Sequence, residues 1–62
     1  MKTEAEIRER IHELENLLRR NEILHREMPA FRQRILLESF NIESQLYALY
    51  YVLGEEYEYK HK

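Results

Sequence analysis

The sequence predicts an all-α fold, an antiparallel two-helix hairpin, on three observations. Pro29 is the only proline and Gly54 the only glycine among 62 residues. The stretches on either side of Pro29 carry apolar residues at helical spacing. Those stretches also match in length, each about 24 residues or roughly 36 Å of helix, as two arms joined by a short connection require.

The first helix is expected over about 3–27. Thr3 with Glu6 three residues on is the capping-box pattern, in which side chain and backbone satisfy each other's donors. Ile7, Ile11, Leu14 and Leu18 then follow 4-3-4 spacing and share one face. Asn21, His25 and Met28 continue that stripe, and Leu17 and Leu24 widen it. Glu9, Arg10, Glu13 and Arg20 fall on other faces.

A chain reversal is expected within residues 26 to 31. Proline removes a backbone donor and clashes with the preceding turn. It also drives Met28 away from helical geometry. The second helix is expected over about 30–53, with Pro29 suited to its first turn. Its tightest stripe is Phe31, Ile35, Ser39, Ile42, Leu46, Leu49 and Leu53. A bend centred near Pro29 makes residue numbers across the hairpin sum to about 57, which sets Leu46 opposite Ile11. Leu36, Phe40, Tyr47, Tyr50 and Tyr51 form a second stripe roughly 100° away, and Leu37, Ala48 and Val52 a third side. A helix apolar most of the way round is one buried by more than one neighbour. Gly54 suits the position after a helix end. Residues 55–62 form a tail expected to be poorly ordered without a partner, so the single domain is the hairpin of 1–54.

Composition narrows the classes further. With no cysteine, disulfides and thiolate zinc sites are excluded, and a chain this short often needs oligomerisation for stability. A net charge of −2 argues against a general polyanion binder. All twelve acidic residues are glutamate, the better helix former of the two acids. There is no signal-peptide pattern, and Glu38, Asn41, Glu43 and Gln45 interrupt the most apolar stretch, so a soluble cytoplasmic protein is expected.

One hairpin gives the second helix a single neighbour. The stripe of Leu36, Phe40, Tyr47, Tyr50 and Tyr51 is therefore the expected interface, covered by a second copy in a homodimeric four-helix bundle with coiled-coil-like packing, or by a protein partner. Charge is segregated along the hairpin. Residues 19 to 37 carry five arginines against two glutamates, a net of +3; all others carry five basic residues against ten glutamates, a net of −5. Two hairpins with bends at opposite ends would bring opposite signs together.

The expected function is a small, non-enzymatic protein-interaction module: an adaptor, inhibitor or regulator, with no cofactor and no metal. The alternative is an RNA-binding regulator whose Arg19, Arg20, Arg26, Arg32 and Arg34 meet phosphates. In length and hairpin plan the chain resembles the small plasmid-copy-control RNA binders, a likeness of topology without a shared contact motif. A third class is a metal-dependent or phosphatase-like bundle. Glu9-x-x-His12 and Glu22-x-x-His25 have the spacing of di-metal carboxylate bundles, with Glu38 and Glu43 as further oxygen donors. Ser39-Phe40-Asn41-Ile42-Glu43 resembles the S-x-x-L-D signature of the two-helix aspartyl-phosphate phosphatases of spore formers. Ile42 stands there for leucine and Glu43 for the essential aspartate, one methylene further out. Asn21 and His25 on the core stripe, level with Ser39, suggest either a polar layer or a small binding site within the bundle.

Overall fold

A computed structural model describes residues 3–58. Two α-helices, α1 (Glu4–Glu27) and α2 (Arg32–Val52), pack side by side, joined by one 3-10 turn at Pro29–Phe31. There is no strand among the described residues.

Helix α1 begins as its sequence dictates. The Glu6 N–H donates to Thr3 Oγ1 at 3.2 Å and the Thr3 N–H to Glu6 Oε1 at 3.5 Å, so both halves of the capping box form. Met28 ends the helix with φ −127° and ψ 74°, outside the α region that a following proline disfavours. Its N–H still reaches the Leu24 carbonyl at 2.8 Å. The 3-10 turn then closes with the Phe31 N–H on the Met28 carbonyl at 3.0 Å. Arg32 completes the corner, its Nε donating to the His25 carbonyl at 2.9 Å. Carbonyls of the last helical turn have no partner within the helix, and here one is satisfied from the neighbouring helix.

The core is a single layer between the helices, formed by Ile11, Leu14 and Leu18 of α1 with Ile42 and Leu46 of α2. Asn21 and Ser39 are buried at its bend end and pair with each other, Asn21 Nδ2 donating to Ser39 Oγ at 3.5 Å. At this pair the residue numbers sum to 60, close to the expected sum of about 57. Leu46 shares one core cluster with both Ile11 and Leu14.

Helix α2 ends in a Schellman motif. Gly54 has φ 75°, its N–H donates to the Tyr51 carbonyl at 3.0 Å, and the Glu55 N–H donates to the Tyr50 carbonyl at 2.9 Å. The turn sends the chain back along the hairpin. Tyr57 packs against the core, its ring stacked on that of Tyr50 with centroids 5.5 Å apart and planes 19° from parallel. Residues 55–58 thus form a short third segment, a strap laid over the open end. The expectation of a poorly ordered tail also covers 59–62, which lie outside the described residues.

Candidate interaction surface

The outward side of α2 is the most unusual surface of the molecule. Between residues 35 and 53 the helix carries only two charged residues, Glu38 and Glu43, and Glu43 is buried. The side facing solvent instead presents Leu37 (67% exposed), Phe40 (41%), Tyr47 (48%), Tyr51 (74%) and Val52 (67%). By contrast, the exposed positions of α1 are mostly charged, from Glu4 through Glu27. The two helices therefore meet solvent with opposite chemistries.

The five residues of the expected interface divide. Phe40, Tyr47 and Tyr51 stand on the outward face. Leu36 is half-buried beside a small cavity of about 80 Å³ that Asn21, Glu22, His25 and Ser39 complete. Tyr50 is turned inward; it packs on the core beneath Tyr57 and donates its hydroxyl to Glu15 Oε2 at 3.3 Å. Leu37 and Val52, assigned to another side by periodicity, extend the exposed face.

The strap creates a pocket that no single stretch of sequence announces. It has a volume of about 290 Å³ and is lined by Tyr47 and Tyr51 of α2 and by Glu55, Glu56 and Tyr57 of the strap. Side-chain contacts to charged groups help hold the strap in place. Glu55 Oε2 meets Arg8 Nη2 at 2.7 Å, and the same guanidinium reaches Glu4 at 3.0 Å. These carboxylates, Glu55 foremost, hold the Arg8 guanidinium still more firmly protonated. Tyr57 donates its hydroxyl to Glu43 Oε2 at 3.2 Å. Glu43 is 0% exposed, and a buried carboxylate needs such donors. Burial first, and then the Glu43 charge, raise the Tyr57 phenol well above its ordinary range. Burial, followed by Glu15, does the same more mildly to Tyr50.

The other candidate residues are dispersed. Arg19, Arg20, Arg26, Arg32 and Arg34 are all exposed around the bend, and among the described residues none of them forms an ion pair. Arg19 Nη2 donates to Asn16 Oδ1 at 3.1 Å, while Arg32 is committed to the His25 carbonyl. Glu9 and His12 are exposed on α1, whereas Glu22 and His25 line the small cavity. No group of three or more histidine and glutamate side chains among the described residues is arranged to hold a metal ion. In the Ser39–Glu43 segment, Ser39, Ile42 and Glu43 are all buried. No described helix is long and apolar enough to cross a membrane.

The strap contacts escaped sequence reasoning. The alternation of Tyr57 with Glu55, Glu56 and Glu58 reads as a solvated tail. The available signal was Glu43 itself, a carboxylate only 60° from Leu46 on a helical wheel, which implied a donor nearby. No family model, curated protein or solved structure matches the chain.

Proposed function

We propose that the protein is a small, non-enzymatic interaction module of the cytoplasm, an adaptor, inhibitor or regulator, that works as a homodimer through the outward face of α2. Two hairpins so joined make a four-helix bundle with α2 at its centre and coiled-coil-like packing between helices. The observation that carries this reading is the near absence of exposed charge on α2 beyond its first turn. A helix side meant for water is rich in Lys, Arg and Glu. From residue 35 to 53 this one offers only Glu38 as an exposed charge, and leaves Leu37, Tyr51 and Val52 at least two-thirds exposed. Contiguous apolar surface of that kind marks interaction sites, and tyrosine suits them because its ring buries area while its hydroxyl stays hydrogen-bonded.

Sedimentation equilibrium at micromolar concentration tests the reading. The expected mass is twice the 7.8 kDa of the chain. Tyr51→Lys, at the most exposed residue of the face, is expected to give a monomer whose helical circular dichroism is retained. A monomeric native protein would remove the homodimer and leave the face to a different partner.

The exposed arginines of the bend support RNA binding as the second reading. Its signature is RNA affinity that falls steeply with added salt and with loss of Arg19, Arg20, Arg26 and Arg34. A structured RNA that fails to bind at low salt would dismiss it.

A further inference from the structure

We propose that the two copies pack α2 against α2 in antiparallel fashion, about a two-fold axis beside Ser44, so that the arginine-bearing bend of each lies over the tyrosine–glutamate pocket of the other. The proposal rests on the homodimer reading and specifies its occupant, direction and register.

The extent of the exposed face places the axis, and the charges at its ends give the direction. The exposed face runs from Leu37 to Tyr51 and Val52, and its midpoint is residue 44. The charges flanking that face are of opposite sign, Arg34 in the first turn of α2 and Glu55 and Glu56 just past its end. Ser44 and Ala48 are exposed near the centre of the face and are its smallest side chains, so the backbones can approach closely there. With the axis at Ser44, Leu37 faces the partner's Tyr51. Arg34 comes level with the partner's Gly54, where the pocket's Glu55 and Glu56 begin the strap.

Direction follows from charge. A parallel pair sharing this face sets Arg34 beside the partner's Arg34, and Glu56 beside its Glu56. The antiparallel pair replaces both repulsions with attraction, and like-charge juxtaposition is what excludes wrong arrangements. The pocket is suited to what arrives. Tyrosine faces attract a guanidinium through their quadrupole, and carboxylates accept its hydrogen bonds in a matching fork. Tyr47, Tyr51, Glu55 and Glu56 supply both at the level the register demands.

The area is sufficient. The five exposed side chains of the face present on the order of 500 Å² per copy, so two copies reach the roughly 1,000 Å² that a specific interface needs before the charged ends are added.

The chain has no cysteine, so introduced cysteines report without background. Ser44→Cys is expected to give a disulfide-linked dimer on mild oxidation, because only a residue at the axis meets its own copy. Leu37→Cys and Tyr51→Cys alone are expected to give little disulfide, and their mixture to give the 37–51 heterodimer. Disulfides of Leu37→Cys with itself and of Tyr51→Cys with itself would establish a parallel pair and overturn the proposal while leaving the homodimer intact. A native dimer in which none of these combinations cross-links would overturn it as well. A native monomer would remove both readings. Charge reversal gives a second readout that does not alter the apolar face. Arg34→Glu and Glu56→Arg should each weaken the dimer at least several-fold, and mixing the two variants should recover affinity. Failure of the mixture to recover would count against the assigned register.

Discussion

Leu46 and Glu43 show how differently two fully buried residues of one helix act. Leu46 is at the centre of the core, without exposure. Leu46→Ala is expected to cost about 2–5 kcal/mol, whereas Glu13→Ala, on the exposed side of α1, should stay within about 0.5 kcal/mol. Thermal melts of the two variants check the assignment of faces. Glu43 is retained through its bond from Tyr57. Tyr57→Phe removes that donor and is expected to cost about 1.5–3 kcal/mol, the range for a hydrogen bond to a charged group. Glu43→Leu in the same chain should relieve most of the loss, because carboxylate and donor then disappear together. The phenol also sets a pH dependence. Its folded pKa lies above the unfolded value of about 10, so the folded state holds the proton more tightly. The resulting stability is complete below about pH 10 and is lost progressively as pH rises toward the folded pKa. Denaturant titrations at pH 8 and pH 11 should show a decline in the native protein that is smaller in Tyr57→Phe.

At the scale of elements, the sequence signals that were most local were also the most legible. Thr3 and Glu6 cap α1, Pro29 turns the chain and Gly54 closes α2, each through geometry confined to a few neighbouring residues. Gly54 can be tested directly. A Cβ placed there meets nothing within 4 Å, so only the positive φ resists substitution. Gly54→Ala is expected to cost about 1–2 kcal/mol. Because this turn also aims the strap, the variant should expose Tyr57, seen as faster amide exchange at residues 55 to 58. Gly54→Asn, which tolerates the same conformation, should do less damage. The connection between helices was less legible. Proline located the reversal, but not the full 3-10 turn at Pro29–Phe31 or its closure by the Arg32 side chain on the His25 carbonyl.

The whole molecule is elongated, with a radius of gyration of 12.7 Å against roughly 10.6 Å for a compact domain of its length. A single layer of contact between two helices is a thin core. If the outward face of α2 is buried in the homodimer, folding and association are linked by mass action. The melting temperature is then expected to rise with protein concentration over a hundredfold range, and to lose that dependence in Tyr51→Lys. A native melting temperature independent of concentration would separate stability from assembly.

The sequence by itself determined the helical class, the place of the bend and both caps. These depend on residues within one turn of each other, and backbone sterics act at that range whatever surrounds them. It also marked Asn21 and Ser39 as a possible level pair, because each lies on its helix's apolar stripe at similar distance from Pro29. Tertiary structure alone decided the fate of the tyrosines. Tyr50, Tyr51 and Tyr57 differ little as residue types, yet Tyr50 is half-buried, Tyr51 is exposed and Tyr57 covers a buried carboxylate. Helical periodicity resolves only which way a side chain leaves its own helix. Whether another segment lies there depends on contacts such as Glu55 with Arg8, 47 residues apart in sequence, and on a strap whose return path follows from one glycine's φ.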